Sequence, residues 1–175
     1  MIYYWLSFCL PLIGVLSPVA LIGRAKVLSW SILIVFMILF IGLRHDVGGD
    51  WNNYVELITR VAVEQSSWIW SQKDPGYVLI NWASTRIGWG IYGVNMISCV
   101  IFLAGLTHFC WKQPLPSLAW LVATPYLIIV VGMGYTRQSV ALGLILFAFS
   151  PLEKGNVWRV NAIKNYNGAP RAISP

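Results

Sequence analysis

Long apolar runs, separated by short polar breaks, constrain this chain more than any other feature. The run from Val27 to Leu43 reads VLSWSILIVFMILFIGL, and the first charged residue after it is Arg44. A helix needs roughly 20 apolar residues, with a range of about 17–25, to cross the hydrocarbon core of a bilayer. Apolar runs at about residues 2–22, 27–43, 92–111, 117–133 and 138–150 therefore predict an all-α, polytopic transmembrane helix bundle of about five spans.

The composition agrees with a membrane domain. Only 10% of the 175 residues are charged and 58% are hydrophobic, whereas a soluble domain carries about 25% charged residues. The net charge of +6 comes from basic residues that lie singly between apolar runs, a pattern that argues against nucleic acid as a partner. We assign residues 1–150 to the membrane domain and residues 151–175 to a polar cytoplasmic tail.

The positions of Lys and Arg predict the orientation. Arg24 and Lys26 fill the first short loop, and loops rich in these residues stay cytoplasmic. Alternation then places an outer region, residues 44–91, on the far side of the bacterial inner membrane. This scheme requires that the segment from Tyr77 to Trp89 does not cross; if it does cross, every later loop changes side. The segment is short and polar enough to predict an interfacial helix instead.

The outer region contains two predicted helix starts. Asp50 precedes a helical stripe and is placed to cap it; the apolar positions are Trp51, Tyr54, Val55, Ile58, Val61 and Ala62. On the opposite face the charges of Glu56, Arg60 and Glu64 recur every four residues, which predicts ordinary surface pairs. Asp74 and Pro75 form a second start, with Asp as the cap and Pro at the first helical position.

Two arginines stand out by position. Arg44 ends the second predicted span, and Arg137 begins the fifth, both on the side where basic residues are normally sparse. Neither topology nor helix propensity requires them, although arginines at such positions can also extend to lipid headgroups. Arg matches phosphate oxygens with a bidentate fork, and neighbouring glycines allow close backbone approach. We therefore predict that Arg44 and Arg137 bind a lipid diphosphate.

A hydroxyl that attacks beside a diphosphate benefits from a general base. Asp50, Asp46 and His45 are the candidates for that catalytic role, and the sequence does not choose among them; His45 could also be a plain polar contact. The three cysteines lie inside apolar runs without metal-like spacing, so we expect neither a metal site nor a cofactor.

Three short motifs occur in order along the chain: GLRHDVGGDWNNY, then DPGYVLINW, then GYTRQSVALGLILFA. Together they resemble the EpsG family of membrane proteins, which are similar to Wzy-type O-antigen and exopolysaccharide polymerases. The residues that carry the resemblance are Arg44, Val47, Gly48, Asp50, Tyr54, Asp74, Pro75, Gly76, Tyr77, Arg137 and Gln138. It covers about residues 1–155. Because family members continue with several more spans, we interpret the chain as a truncated member.

The resemblance implies a glycosyltransferase-type polymerase that joins polyprenyl-diphosphate-linked oligosaccharide repeats into O-antigen, capsule or exopolysaccharide at the outer face of the membrane. It implies that Arg44 and Arg137 hold the diphosphate, and that Tyr54, Asp74 and Gln138 contact other parts of the substrate. The expected partners are the lipid-linked glycan, the bilayer and a chain-length regulator protein. A non-enzymatic flippase for the same lipids, or an inactive fragment of a polymerase, are the alternatives.

Overall fold

The computed structural model describes residues 2–17, 23–63 and 66–149. These residues form helices joined by short loops, so the all-α fold is confirmed. The helices are α1 (Ile2–Leu16), α2 (Arg24–Gly42), α3 (Trp51–Val63), α4 (Ser66–Ile69), α5 (Pro75–Ile87), α6 (Gly90–Trp111), α7 (Pro116–Ala123) and α8 (Thr136–Phe149). A π-helical segment, Thr124–Gly132, continues α7. The predicted tail and Glu64 lie outside the described residues.

Two helices are long and apolar enough to cross a membrane. They are α2, with 19 residues and a mean hydropathy of 2.2, and α6, with 22 residues and a mean hydropathy of 1.7. The other three predicted spans correspond to apolar helices of 10–17 residues. An α-helix rises about 1.5 Å per residue and the hydrocarbon core is about 30 Å thick. The five-span arrangement therefore stays a prediction.

The surface of α2 favours a lipid environment over a soluble core. Only 22% of the most apolar 18-residue stretch of α2 is buried by the rest of the protein. Val27, Ile32 and Leu39 are each about half exposed or more. A helix that is apolar all round is normally buried in protein or in a membrane. The low burial of α2 therefore suggests a membrane location for this helix.

Contacts between α2, α6 and α8 fix which helix ends lie together. A Cβ atom on Gly42 would lie 3.3 Å from Met96 Cα, and the Cys99 thiol faces the carbonyl of Met37, so α2 and α6 are antiparallel. Gly143 of α8 approaches Phe102 Cα so closely that a Cβ atom would come within 2.6 Å of it. Thr136, the first residue of α8, bonds to Arg44. Arg44 follows the end of α2, which lies near the start of α6. Hence α8 runs parallel to α6.

The end of α2, the end of the π-helical segment and the start of α8 consequently meet at one end of the bundle, which we call the site end. The hydrophobic core lies below it, where α2, α6 and α7 meet, and its largest fully buried side chains include Met37, Phe102 and Trp120. The core therefore supports the site end from beneath.

The π-helical segment follows from its proline. Pro125 lacks a backbone N–H and crowds the preceding turn, so a regular α-helical ladder cannot pass through it. The hydroxyl of Thr124 bonds to the carbonyl of Trp120 at 2.9 Å, and the chain continues with wider turns to Gly132. Segments of this kind occur frequently at functional sites.

The outer region folds against the bundle. Helix α5 begins after Asp74 and ends at Gly88, which has a left-handed φ of 81°. Its 13 residues give a length of about 20 Å, too short to span. Helix α3 packs on α5 through Tyr54 and Tyr77, whose rings are 5.8 Å apart.

The predicted stripe on α3 was partly wrong. Leu57 is half-buried, whereas Val55 and Ala62 are exposed; the neighbouring helix α5 selects the buried face, and the sequence of α3 alone does not show where α5 lies. The predicted surface pair is present, because Arg60 donates to Glu56 at 2.5 Å.

Candidate functional site

Arg44 follows the end of α2 and turns inward. Its side chain is buried, with 5% of the residue exposed. One terminal nitrogen donates to the carbonyl of Gly132 at 2.7 Å, and the other to the hydroxyl of Thr136 at 3.4 Å. Because Gly132 ends the π-helical segment, its carbonyl is one that helices leave without an internal partner. Arg44 therefore joins three chain segments at the site end. The expectation that nothing structural requires Arg44 was wrong, and so was the alternative that it extends to lipid headgroups.

In the described part of the chain, no acidic side chain forms an ion pair with Arg44 within 4.0 Å, and its Nε atom is buried without a hydrogen-bond partner. Burial lowers the pKa of Arg44, and the neighbouring phenols of Tyr54 and Tyr77 act in the opposite sense. Burying a cation without an ion-pair partner is unfavourable, and hydrogen bonds such as those to Gly132 and Thr136 offset only part of that penalty. The Nε atom of Arg44 can therefore donate a further hydrogen bond, and an anion would balance the charge of the guanidinium group.

Arg137 lies beside Arg44 but points outward. It is in the first turn of α8, next to Thr136, and its side chain is 60% exposed. Its guanidinium donates to a carboxylate oxygen of Asp74 at 2.9 Å. Asp74 occupies the capping position of α5, as predicted, yet its side chain makes no capping hydrogen bond. The prediction that the Asp74 side chain caps α5 was wrong, since Arg137 takes its carboxylate instead.

Glycines let two loops of the site end touch. Gly48 has a φ of 103°, and a Cβ atom there would lie 2.6 Å from the carbonyl oxygen of Gly134. Similarly, a Cβ atom on Gly132 would press against Phe102 at 3.2 Å. These glycines were expected to admit a ligand; in the structure they admit neighbouring protein segments. The loop after α2 is thereby held against the loop before α8.

His45 lies at the surface. Its Nδ1 atom lies 2.9 Å from the hydroxyl of Tyr92, and its ring stacks on the ring of Tyr92 and meets Trp51 edge-on. These contacts fix the orientation of the imidazole while the residue stays exposed. Tyr92 was not predicted. Its only signal in the sequence is its place at the start of an apolar run.

The two aspartates of the first motif are accessible. Asp46 is exposed and has a positive φ of 49°, a conformation that Asp tolerates better than most residues. Asp50 is half-buried, and its carboxylate accepts a hydrogen bond from the Asn53 amide at 3.4 Å. Its carbonyl accepts from the backbone N–H of Tyr54, so α3 starts where predicted. In the described part of the chain neither carboxylate pairs with a basic side chain.

The remaining predicted residues lie in different environments. Tyr54 and Tyr77 are buried against each other below the loop of Arg44. Burial raises the pKa of Tyr77 to about 12, while the nearby Thr136 hydroxyl acts in the opposite sense; no described group forms a hydrogen bond of standard geometry with the phenol. Gln138 is exposed on the first turn of α8.

The structure thus brings Arg44, Arg137, Asp74 and Tyr77 to one place, although they are spread over more than ninety residues of sequence. His45, Asp46 and Asp50 lie on the adjoining loop. Within the described ranges, no three His, Cys, Asp or Glu side chains gather where they could hold a metal ion. Chemically, the arrangement offers two guanidinium groups for an anion, with carboxylates and an imidazole close by in the chain.

Comparisons with known proteins give one family. The family model described as the EpsG family matches residues 27–162, a range that contains all three motifs. Neither the curated proteins nor the solved structures yield a match. The match covers well over half of the chain and confirms the resemblance drawn from the motifs. The chain belongs to the EpsG family.

Proposed function

We propose that this chain polymerises polyprenyl-diphosphate-linked oligosaccharide repeats at the outer face of the bacterial inner membrane. Membership of the EpsG family suggests a role in exopolysaccharide biosynthesis, and the two long apolar helices suggest a membrane location. The polymerase activity is the further step that we propose here. Its products would be O-antigen, capsule or exopolysaccharide.

One observation carries the proposal: Arg44 is buried and, within the described ranges, has no acidic partner, and it bonds to the residue that precedes the exposed Arg137. Arg44 bonds to Thr136, and Arg137 follows Thr136 directly. A diphosphate carries several negative charges and many acceptor oxygens. It can therefore accept hydrogen bonds from both guanidinium groups and balance their charge. Bidentate Arg–phosphate pairs are among the stronger hydrogen-bonded contacts in proteins.

The two arginines would act differently. Arg137 is exposed and would meet the diphosphate first, with the carboxylate of Asp74 giving way to a phosphate oxygen. Arg44 lies beneath and keeps one unpaired donor, Nε. It therefore adds a fixed positive charge behind the leaving group. Cations placed in advance where negative charge develops lower the barrier of such reactions.

In the proposed reaction, the bond between the anomeric carbon of the growing chain and the diphosphate oxygen breaks. The hydroxyl oxygen of the acceptor repeat forms the new glycosidic bond to that carbon. The hydroxyl proton passes to a base, for which Asp50, Asp46 and His45 are the candidates, and the electron pair leaves with the lipid diphosphate. Tyr54, Asp74 and Gln138 are proposed substrate contacts, and a chain-length regulator is a proposed partner.

The test compares two exposed arginines that are both ion-paired. Arg137 pairs with Asp74, and Arg60 pairs with Glu56; their side chains are 60% and 65% exposed. In cells that depend on this chain for polymerisation, Arg137→Ala should abolish long surface polysaccharide and leave single-repeat glycans. Arg60→Ala, inserted at the same level, should leave chain length unchanged. Normal chain length in Arg137→Ala would contradict the proposal.

A second variant addresses Arg44. Because this residue also joins the site end, Arg44→Ala is expected to lose long polysaccharide for two reasons, catalytic and structural. Arg44→Lys keeps the charge but cannot span both the Gly132 carbonyl and the Thr136 hydroxyl with a planar fork. We expect it to insert normally and to polymerise poorly, as judged by the ratio of long to single-repeat glycans. Full activity of Arg44→Lys would show that only charge matters there.

A further inference from the structure

Within the described ranges, several buried polar atoms of α5 and α6, two helices whose contact we call the seam, have no hydrogen-bond partner. They are the phenol oxygen of Tyr77, Oδ1 of Asn81, both amide atoms of Asn95 and the hydroxyl of Ser98. Each of these four residues is at most 6% exposed. We call them the seam cluster. About nine in ten buried polar groups in proteins have a hydrogen-bond partner, so several unpaired atoms on two adjoining helices are unusual.

Contacts place Tyr77, and through it Asn81, beside Arg44. Tyr77 lies near the side chains of Asn81, Thr136 and Arg44, although its phenol forms no hydrogen bond of standard geometry with them. On α6, Val94 packs against Tyr77, and Cys99 lies within electrostatic range of Arg44. Asn95 and Ser98 stand between those two positions. They are three residues apart and therefore share one face of the helix.

The chemistry of the unpaired atoms is mixed. Asn95 offers one donor and one acceptor, Asn81 offers an acceptor, and the hydroxyls of Tyr77 and Ser98 can do either. An anion would require donors alone, so the seam cluster itself does not suit a phosphate. Mixed, uncharged donors and acceptors suit hydroxyl groups, which also do both. The nearby Nε atom of Arg44 is a donor only and suits a phosphate oxygen.

Hydroxyl groups could come from a sugar or from water. Tyr77 and Asn81 lie next to Arg44, and the first sugar is bonded directly to the diphosphate. We therefore propose that the seam cluster binds that sugar, while the phosphate oxygens bind Arg44 and Arg137. This inference rests on the proposed function, because it assumes a diphosphate at the two arginines. It gives the site a means of recognising the glycan as well as the lipid.

Entry of the sugar requires α5 to move, since the polar atoms of the seam cluster are shielded from solvent. Helix α5 packs mainly on α6 and α3, and the exposed ion pair between Asp74 and Arg137 ties its start to α8. A diphosphate that takes Arg137 would release Asp74 and with it the start of α5. Binding of the anion and opening of the seam would then be one event.

The test separates the sugar from the diphosphate. The probes are farnesyl diphosphate and a panel of farnesyl-diphosphate-linked hexoses and N-acetylhexosamines, bound to the purified protein in detergent. We expect at least one sugar-bearing probe to bind about tenfold more tightly than farnesyl diphosphate. In the double variant Asn95→Leu and Ser98→Ala, that difference should fall to about twofold or less, while the affinity for farnesyl diphosphate stays unchanged.

A matched control lies on the same helix. Thr107 is buried and its hydroxyl is also unpaired, but it is about two and a half turns beyond Ser98. Thr107→Val should keep the full preference for the sugar-bearing probe. Both the control and the double variant should unfold at the same temperature as the parent or higher, because removing an unpaired buried polar group removes its desolvation penalty. Ser98→Ala alone is the milder variant if the double variant does not insert.

The outcomes separate the two proposals. Equal affinity of the parent for all probes would overturn the sugar subsite and leave the diphosphate site standing. A tenfold preference that persists in the double variant would also overturn the subsite. Lower thermal stability of the double variant, with an unchanged sugar preference, would identify a structural water network instead. If no probe binds, the proposed function fails and the subsite fails with it.

Discussion

The contact between Gly48 and Gly134 supports a sharp prediction, because it holds the loop of Arg44 against the start of α8. In Gly48→Ala, the new Cβ atom would lie 2.6 Å from a backbone carbonyl oxygen, and it would sit on a residue with a φ of 103°. Neither the carbonyl nor the backbone angle can relax by a simple side-chain rotation. Both penalties therefore fall on the site end.

The magnitude follows from these two penalties. A non-glycine residue in so sparsely populated a conformation costs about 1–3 kcal/mol, and shifting backbone to make room costs about 1–3 kcal/mol more. The hydrogen bond from Arg44 to Gly132, at 2.7 Å, involves a charged group and contributes about 1.5–3 kcal/mol. The combined penalty of about 2–6 kcal/mol matches or exceeds this bond. We expect the two loops to separate and Arg44 to lose its fixed position.

Thermal unfolding of the purified protein and polysaccharide chain length in cells measure the result. Gly48→Ala should unfold at a lower temperature and lose long polysaccharide. Gly49→Ala is the matched control, because a Cβ atom there meets nothing within 4 Å and the φ is not left-handed; its effect should stay within about 0.5 kcal/mol. If both variants keep the parent's stability and chain length, the close approach of the two loops is not what positions Arg44.

Three further predictions concern charge, pH and orientation. Asp74→Asn should change the free energy of unfolding by less than about 1 kcal/mol, as for other exposed ion pairs. It should also tighten the binding of farnesyl diphosphate, because Arg137 loses its ion-pair partner; weaker binding would contradict this. The pKa of Tyr77 is raised to about 12 from an ordinary value of about 10, so the unfolded chain loses the phenol proton at a lower pH than the folded chain. The free energy of unfolding should therefore fall as the pH rises from about 10 to about 12. Tyr77→Phe should flatten that part of a plot of unfolding temperature against pH, and an unchanged slope would refute the assignment. With the native cysteines replaced, Asn53→Cys should react with a membrane-impermeant thiol reagent from outside; protection, with insertion verified, would contradict the proposed orientation.

The helix positions could be predicted because they depend on local sequence. The uncharged run before Arg44 marks where α2 ends, and Asp74 followed by Pro75 marks where α5 begins. Hydrophobic length and start signals act over one or two turns, so a single sequence contains them. The π-helical segment is an intermediate case. Pro125 signals a disturbed helix, but the sequence does not say which kind.

The partners of the site residues could not be predicted, because they depend on how distant helices meet. Arg44 bonds to a carbonyl 88 residues away, and Arg137 bonds to a carboxylate 63 residues away. Periodicity shows that Arg44 ends a helix, yet it does not show which backbone carbonyl will be left free nearby. Asp74 precedes α5, as the capping rule predicts. Its carboxylate, however, accepts a hydrogen bond from Arg137 instead of capping the helix.

Two residues of the seam cluster, Asn95 and Ser98, are recognisable in the sequence as polar residues within a predicted span. Asn95 and Ser98 interrupt an otherwise apolar run with a spacing of three. Polar residues inside a predicted span usually face the interior of the bundle and are often functional. That rule would have singled out both residues, although it would not have placed them beside Arg44.

The central claim is that Arg137, with Arg44 beneath it, catalyses polymerisation on a lipid diphosphate. The most direct measurement uses purified protein reconstituted in lipid vesicles with lipid-linked repeats, and follows glycan length on a gel. We expect the parent and Arg60→Ala to produce a ladder of long chains, whereas Arg137→Ala should produce single repeats only. A ladder of normal length from Arg137→Ala, or no ladder from the parent, would contradict it.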